Sequence, residues 1–354
     1  MNICIVAGAR PNFVKVAPLI RAIQKSAVAS YQLVYAGRDD DPTLESSLFD
    51  DLQMPRPDFY LGVDSTRLNE ITSRVMAEFD RFLDEHPADV VIVVDDLAST
   101  MAAAIVTKKR GTRLAHLVAG TRSFDITMPK EINRLVIDAL SDYLFTAGVK
   151  SNSVATREQA ESSQTYMVGN ILMDTLRFNH SRLRQPVMAG LDLSAPYLVL
   201  TLNRRALLAD TDFLSQVLET IGQAGVEVIA PLRDEARRAV KAQLREGSAL
   251  HIHLIDPLPY LEFGWLTAHA QGIITDSGNV AEEATFNGVP CITLNDYTEH
   301  QETVTVGSNV LVGGDAEKLR NALGTLLKGE WKKCALPDRW DGRTAERIVQ
   351  ILIS

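Results

Sequence analysis

The sequence predicts an α/β protein made of two doubly wound, Rossmann-like domains. Short apolar runs, which are typical of buried parallel strands, alternate with amphipathic helical segments along the whole chain. With 354 residues the chain is longer than one ordinary hydrophobic core supports, so two domains are expected. Two of the apolar runs end in short turns that lead directly into helices, which is where open α/β sheets bind their ligands.

The first domain, residues 1–184, opens with an apolar strand and a helix that follows it closely. Its predicted strands are 2–7, 31–36, 89–94, 113–118, 143–146 and 166–168. Its predicted helices include 13–23, 66–85, 98–109 and 131–140, and a further helix runs from 169 to about 184. The weakly patterned stretch 185–195 is the expected linker.

The second domain, residues 185–340, repeats the alternation of strands and helices. Its predicted strands are 197–201, 227–230, 251–255, 272–275, 291–294 and 310–312. The last helix, 342–353, is expected to cross back and pack on the first domain, so 341–354 forms a separate C-terminal segment. Two Rossmann-like halves that face each other across a cleft constitute the architecture called GT-B.

The composition is that of a globular protein and argues against several classes of function. The formal net charge of −9 argues against nucleic acid and anionic membrane as the main partners. No apolar run reaches the roughly 18 residues that a membrane helix needs, and the first residues do not form a basic leader. Three widely separated cysteines, Cys4, Cys291 and Cys334, favour a reducing cytoplasm. The sequence has no zinc or calcium motif, and neither a metal nor a cofactor is expected.

The stretch 273–290, IITDSGNVAEEATFNGVP, predicts an anion-binding turn. Its apolar strand ends in Asp276-Ser277-Gly278, and a helix begins at about Asn279. The first amides of a helix have no intrahelical partner and lie at the positive end of the dipole, so Ser277 and Gly278 allow a phosphate to approach the backbone. The alternative is a plain strand-to-helix turn in which Asp276 or Ser277 caps the helix.

A second turn of this kind follows the first strand. Arg10 and Lys15 would lie at the carboxyl end of that strand, in the first turns of the next helix. Two cations at an already positive helix N-terminus are unfavourable without an anion, so a phosphate is expected there; the alternative is a solvated helix start. The turn is not a GxGxxG fingerprint, so binding of a nicotinamide dinucleotide is unsupported.

Three blocks of sequence resemble the non-hydrolysing UDP-N-acetylglucosamine 2-epimerase family. GARPNFVKVAPLI at 8–20 is similar to the family's opening G-T-R-P-E-x-x-K-x-x-P, and VGNILMDTL at 168–176 is similar to its G-N-T-x-x-D. The block 260–313, from YLEFGW to VLVG, matches the nucleotide half of the family nearly end to end. The resemblance implies the GT-B fold, UDP bound on the second domain, UDP-N-acetylglucosamine as the ligand and a homodimer.

The resemblance also implies which residues bind the nucleotide. Arg10 and Lys15 resemble the family's basic residues on the phosphate side, and Ser277 and Gly278 match its diphosphate-binding turn. Glu283 matches the carboxylate that binds the ribose hydroxyls. Three further residues fall in motifs of the substrate site, namely Asn203, Arg204 and His300. For His300 the alternative is a solvated side chain.

The motifs that handle protons depart from the family pattern. Epimerisation needs acids and bases around sugar C2 together with elimination of UDP. Where the family has G-D-T, H-V-E-A-G-L-R, P-E-E-x-N-R and G-H-R-R-E-N, this chain has DDL, HLVAGTR, PKEINR and LNRRAL. Val118, Lys130 and Asn203 therefore replace two glutamates and a histidine, and none of the three can perform the same proton transfer.

The nucleotide half is kept while three acid/base positions are lost. The sequence therefore favours a glycosyltransferase, which would cleave the C1–O bond of a UDP-N-acetylhexosamine and transfer the sugar to an unidentified acceptor. Asp96 or Glu131 would serve as the base or as a charge stabiliser, and the alternative for Asp96 is a helix cap. Arg122 is retained from the family motif, and Lys130 would lie near a diphosphate or an acidic acceptor.

Two other functions stay open. A 2-epimerase with relocated acids and bases would convert UDP-N-acetylglucosamine to its manno epimer without any acceptor. A UDP-sugar-sensing protein would bind UDP tightly without turnover. The regulatory substrate site of the family is in doubt, because 37–42 reads GRDDDP where the family has Q-H-R-E.

Overall fold

The computed structural model describes residues 1–159, 163–188, 190–244 and 251–354. It divides into two compact units, one formed by Met1–Phe178 with Asp338–Ser354 and the other by Asn179–Pro337. Each unit has one sheet, whose strands are parallel and alternate with helices, so the predicted α/β class with two Rossmann-like halves is confirmed. Residue 189, in the expected linker, lies outside the described residues. Within the described ranges, no helix combines the length and the apolar character of a membrane span.

The sheet of the first unit has seven strands in the order β3-β2-β1-β4-β5-β6-β7. They are β1 (Asn2–Ala7), β2 (Ser30–Tyr35), β3 (Phe59–Tyr60), β4 (Val90–Val94), β5 (Arg113–Ala119), β6 (Tyr143–Thr146) and β7 (Gln164–Met167). Every residue of the central strand β4 is buried, as expected for a parallel strand in a doubly wound sheet. The apolar runs predict all of these strands except β3, which lies at the sheet edge and is too short to show a pattern.

The helices that accompany this sheet are α1 (Arg10–Ser26), α2 (Ser46–Leu52), α3 (Leu68–Glu85), α4 (Ala98–Lys109), α5 (Pro129–Leu140), α6 (Val149–Gln159) and α7 (Ile171–Asn179). Helix α4 begins and ends where the sequence predicts. Helix α2 is not predicted, because it is barely two turns long. Helix α7 ends at Asn179, before its predicted end, and a 3₁₀ turn follows it.

The second unit has six parallel strands in the order β10-β9-β8-β11-β12-β13. They are β8 (Tyr197–Thr201), β9 (Glu227–Pro231), β10 (Ile252–Ile255), β11 (Gly272–Thr275), β12 (Cys291–Thr293) and β13 (Asn309–Leu311). The helices are α8 (Arg205–Ala209), α9 (Thr211–Gly222), α10 (Asp234–Gln243), α11 (Tyr260–Ala268), α12 (Gly278–Asn287), α13 (Gln301–Thr305) and α14 (Ala316–Leu327). The apolar runs predict all six strands, with small differences at their ends.

The last helix, α15 (Thr344–Ile353), belongs to the first unit and packs against α1. The carboxylate of Asp174 accepts hydrogen bonds from the backbone N–H groups of Thr344 and Ala345, at 3.0 and 2.8 Å, and so caps the helix. Burial raises the pKa of Asp174 to about 6. Trp340 is fully buried just before the helix and donates its indole N–H to a backbone carbonyl. The aspartate of the GNILMD motif thus fixes the C-terminal segment to its unit.

Candidate functional site

In both sheets the residues singled out from the sequence lie at the point where the strand order reverses. Strand β1 lies between β2 and β4, and strand β8 lies between β9 and β11. Loops leave such a switch point in opposite directions and open a crevice at the carboxyl ends of the strands. Arg10 and Lys15 follow β1, and Asp96 follows β4. In the second unit Asn203 follows β8 and Ser277 follows β11.

The turn after β1 is tied to the end of β4 by buried polar groups. The ammonium of Lys15 lies 2.6 Å from one carboxylate oxygen of Asp95, and the side-chain amide of Asn12 donates to the other at 2.8 Å. The amide oxygen of Asn12 accepts the backbone N–H groups of Gly8 and Ala9 at 2.8 and 3.1 Å. Lys15 is 7% exposed, so it is a buried, paired cation and not part of a solvated helix start.

The carboxylate of Asp96 is held by two cations. Arg134 approaches one oxygen of Asp96 with Nη2 at 2.6 Å and Nε at 2.8 Å. The ammonium of Lys130 lies 3.6 Å from the other oxygen, on a side chain that is 64% exposed. Burial acts to raise the pKa of Asp96, but Lys130 and Arg134 outweigh it and keep the pKa below its ordinary value. Asp96 is therefore an ionised carboxylate with Arg134 on one oxygen and the exposed Lys130 near the other.

The carboxylate of Glu131 is occupied by the loop that precedes its helix. Its two oxygens accept the backbone N–H of Ser123 at 2.8 Å, the Ser123 hydroxyl at 3.0 Å and the backbone N–H of Phe124 at 3.1 Å. Arg134 donates a further hydrogen bond at 3.1 Å. These bonds outweigh the effect of burial and lower the pKa of Glu131. In this geometry Glu131 holds the loop 120–128 against α5.

Arg122 lies in a buried network of ion pairs. Its guanidinium is 2.7 Å from the carboxylate of Asp138 and 2.8 Å from that of Glu158, and its side chain is 1% exposed. The imidazole of His116 lies between Asp138, at 2.5 Å from Nδ1, and the backbone carbonyl of Asp95, at 3.0 Å from Nε2. Both partners of His116 are hydrogen-bond acceptors. The network joins β4, β5 and α5.

Val118 has an unusual backbone conformation at the end of β5. Its φ of 75° lies in the left-handed region, which β-branched residues avoid. The pairing of β5 with β6 shifts register between Leu117 and Ala119, so Val118 is the extra residue of a β-bulge. The position at which the family motif has a glutamate is therefore a strained one.

In the second unit the carboxylate of Asp276 organises the loop after β8. One of its oxygens accepts the backbone N–H groups of both Asn203 and Arg204, each at 2.7 Å. Asp276 is 1% exposed, and its other oxygen has no hydrogen-bond partner among the described residues. Asn203 and Arg204 themselves are exposed, and the guanidinium of Arg204 lies 5.8 Å from the ring centre of Tyr297.

The turn at Ser277 and Gly278 leaves the beginning of α12 open. Ser277 precedes the helix with extended backbone, and its hydroxyl makes no capping bond. A Cβ on Gly278 would meet only His300, at 3.8 Å. The Nδ1 of His300 lies 3.1 Å from the carboxylate of Glu282, which fixes the imidazole beside the turn. The first amides of the helix, the space over Gly278 and the nearby imidazole are together suited to an anion.

Glu283 is buried inside the same helix. Burial, with a further contribution from the neighbouring Glu282, raises the pKa of Glu283 to about 8. The side chain is therefore mostly protonated at neutral pH in the ligand-free protein. A carboxyl group kept neutral in this way can donate as well as accept hydrogen bonds, which suits a pair of hydroxyl groups.

The structure brings the expected residues together in two groups. In the second unit the expected binding residues form one group around Asp276, namely Asn203, Arg204, Ser277, Gly278 and His300. In the first unit Arg134 links Asp96 with Glu131, and Lys130 reaches Asp96 from solvent. The sequence analysis missed Asp138, and it gave no role to Arg134, which belongs to the PKEINR motif. The spacing of residues 131, 134 and 138 places them on one helix face, and this pattern could have identified both residues from the sequence.

Comparison with known proteins gives a consistent result along the whole chain. The family model described as UDP-N-acetylglucosamine 2-epimerase matches residues 21–353. The UDP-N-acetylglucosamine 2-epimerase of Methanocaldococcus jannaschii is 34% identical, with 99% of each chain covered. The UDP-2,3-diacetamido-2,3-dideoxy-D-glucuronate 2-epimerase of Pseudomonas aeruginosa is 32% identical, again with 99% of each chain covered. The crystal structure of the M. jannaschii enzyme in complex with UDP-GlcNAc and UDP superimposes with a TM-score of 0.85 at 31% identity, covering 100% of this chain and 99% of that one.

Proposed function

Because the chain belongs to the UDP-N-acetylglucosamine 2-epimerase family, we propose that it binds a UDP-activated sugar and acts at the anomeric C1–O bond of that sugar. The observation that carries this proposal is the open turn at Ser277 and Gly278, where α12 begins directly after β11, the strand next to β8. The relative of M. jannaschii has been solved with UDP-GlcNAc and UDP, which supports the same class of ligand here.

In the proposed complex the second unit holds the nucleotide. The diphosphate would accept hydrogen bonds from the first amides of α12, with His300 and Arg204 close by as donors. The ribose hydroxyls would bind Glu283, whose pKa of about 8 leaves it able to donate and to accept. Asp276 would not touch the ligand. It would position Asn203 and Arg204 through their backbone N–H groups.

We propose 2-epimerisation of UDP-N-acetylglucosamine, or of a closely related UDP-sugar, as the reaction. The sequence analysis favours glycosyl transfer, but relatives named as 2-epimerases that match over 99% of the chain support the alternative instead. Asp96 is the group best placed to exchange the C2 proton, because it is ionised and the exposed Lys130 lies near one of its oxygens. The mobile ammonium of Lys130 would stabilise the charge of the departing diphosphate. The carboxylate oxygens of Glu131 already accept hydrogen bonds within the protein, and the guanidinium of Arg122 is already paired with a carboxylate. These two residues would therefore position the loops.

Glycosyl transfer is the second candidate, and a specific observation favours it. Val118 and Asn203 offer no ionisable group where the family motifs have a glutamate and a histidine. Transfer to an acceptor hydroxyl needs one base, for which Asp96 suffices, whereas inversion at C2 needs proton exchange on both faces of the sugar. The acceptor would then be a second substrate.

Proton NMR in D₂O with UDP-N-acetylglucosamine and no acceptor separates the two reactions. Epimerisation would produce the manno epimer with deuterium at C2. The Asp96→Asn variant, which keeps its bond from Arg134, should slow this by about 10²–10⁴-fold without loss of UDP binding. An unchanged spectrum, with saturation transfer proving that the nucleotide binds, would overturn epimerisation and direct attention to acceptor-dependent UDP release.

We also propose an oligomeric state and a location in the cell. We infer a homodimer from the family resemblance, and size-exclusion chromatography with light scattering tests it. We infer a reducing cytoplasm because the free thiols of Cys4, Cys291 and Cys334 are widely separated in the sequence.

A further inference from the structure

A cavity of about 350 Å³ lies in the second unit between β13, the edge strand of the sheet, and the helix α14. All of the lining that the structure describes belongs to this unit. That lining includes none of the residues proposed above to bind the nucleotide. A volume of this size accommodates a molecule of one or two rings, so the cavity is a second candidate site in the chain.

The wall of the cavity is mainly apolar. Val310 on β13, Ala322 on α14 and Trp331 beyond that helix are partly buried and pack against the hydrophobic core of the unit. The indole N–H of Trp331 donates to the backbone carbonyl of Ser308 at 2.9 Å, which fixes the ring beside the sheet edge. Because the polar atom of the indole is already used, the ring offers the cavity only apolar surface. A flat apolar body therefore suits this wall.

Two lysines give the same cavity a positive rim. Nζ of Lys332 donates to the backbone carbonyl of Val304 at 2.6 Å, and this bond uses one of the three donors of the ammonium. The side chain of Lys318 is 68% exposed, and the carboxylate 3.9 Å from its ammonium, that of Asp315, already caps α14. Among the described residues that line the cavity there is no carboxylate. The lining thus attracts an anion.

Burial acts on Lys332 in a way that an anion would relieve. It lowers the pKa of this ammonium, because the side chain is partly removed from water. A negative group beside Nζ would offset that effect and stabilise the charged lysine. The apolar wall and the two ammonium groups therefore favour one kind of ligand, an apolar body that carries a negative charge at one end.

We propose that this cavity binds a small aromatic carboxylate. The ring would lie against Trp331 and Ala322, and the carboxylate would pair with Lys318 and Lys332. The inference goes beyond the proposed reaction and does not rest on it, because the proposed nucleotide groups lie outside the lining. Loss of carboxylate binding and loss of UDP binding are therefore separate outcomes.

The test uses the full-length protein with 2-naphthoate as the probe and 2-naphthamide as its neutral counterpart of the same shape. Ligand-observed NMR titrations at low salt should show that naphthoate binds about fivefold more tightly, the value of one screened charge at contact distance. The difference should shrink as salt is added, because salt screens charge pairs near the surface. UDP affinity measured on the same samples reports on the nucleotide site.

Three variants locate the bound probe. Lys318→Gln should weaken naphthoate binding by about fivefold and leave naphthamide unchanged, because it removes one charge from an exposed side chain. Ala322→Leu, which places a larger side chain in the wall, should weaken the binding of both probes. Lys328→Gln, an exposed lysine just after α14 and outside the lining, is the matched control and should change neither.

Three results would overturn the proposal. Equal affinity for the two probes would indicate an apolar contact surface for another protein and not a carboxylate site. Absence of saturable naphthoate binding at millimolar concentration would show that the cavity does not hold such a ligand. A Lys318→Gln variant that melts like the original protein, binds UDP and binds naphthoate equally well would show that the rim charge has no part in binding.

Discussion

Replacing Glu283 by glutamine should remove a large pH dependence from the stability of the second unit. The pKa of Glu283 is raised from 4.5 to about 8, chiefly by burial and also by Glu282. Between these pH values the folded protein keeps a proton that the unfolded chain has released, so stability falls as the pH rises from about 4.5 to 8. At about 1.4 kcal/mol for each pH unit, the full loss is at most about 5 kcal/mol. A glutamine side chain at this position is neutral throughout.

Thermal or urea unfolding from about pH 5 to pH 9 measures the effect. The original protein should lose stability across this range, and the Glu283→Gln variant should show a much smaller loss. Glu317→Gln, which changes an exposed glutamate of the same unit, is the matched control and should keep the original slope. Parallel pH profiles for the original protein and Glu283→Gln would refute the reasoning, because they would show that the buried carboxyl titrates alike in the folded and unfolded states.

Ligand binding provides a further readout of the same group. If the ribose hydroxyls bind the ionised carboxylate, affinity should rise with pH up to about 8 in the original protein and stay flat in Glu283→Gln. Uridine is the suitable ligand, since phosphate groups titrate near pH 6 and would add their own dependence. Affinity that falls as the pH rises through about 8 would mean that the neutral carboxyl binds the hydroxyls, and a flat profile for both proteins would mean that the ionisation of Glu283 does not affect binding.

Three other substitutions test the remaining parts of the argument. Val118→Asn should raise the free energy of unfolding by about 1 kcal/mol in urea titrations, because asparagine tolerates the left-handed region, and Val118→Ala should not; equal changes would refute strain at this position. Asp276→Ala should cost about 2–4 kcal/mol of stability and weaken UDP binding measured by calorimetry, because it removes the charged acceptor of two backbone N–H groups; unchanged binding would contradict this. Asp174→Ala should cost about 1–2 kcal/mol and speed hydrogen exchange at the amides of Thr344 and Ala345; unaltered exchange would show that the cap is unimportant.

The sequence predicts the strands well because parallel strands buried on both faces are continuous apolar runs. Strands β6, β8 and β11 begin and end at the predicted residues. The missed elements, α2 and β3, are short and lie where no periodicity develops. Helix ends depend on caps made by distant residues, as at α15, whose cap comes from Asp174. Such partners cannot be read from local sequence.

The candidate site shows the same limit for side chains. The sequence identifies Glu131 as an acid, but it does not show that Ser123 and Phe124 occupy its oxygens. It likewise presents Lys15 as a free cation, whereas Asp95 neutralises it inside the protein. The turn at Ser277 and Gly278 could be predicted, because strand, small residues and helix start are adjacent in the chain. Long-range pairs decide the roles of the others.

The structure separates the charges that hold the site together from those that are available for chemistry. Arg122 and Asp138 form a buried framework that joins β5 with α5, and Arg134 joins the end of β4 to the same helix. None of these pairs involves positions 118, 130 or 203, where the family motifs are altered. Lys130 is exposed and Asn203 is held by its backbone, so their side chains can change without disturbing the framework. A chain with this arrangement can keep the family fold and the open turn at Ser277 and Gly278 while its proton chemistry changes. Isotope exchange at C2, and not stability or UDP affinity, is therefore the decisive measurement for the proposed reaction.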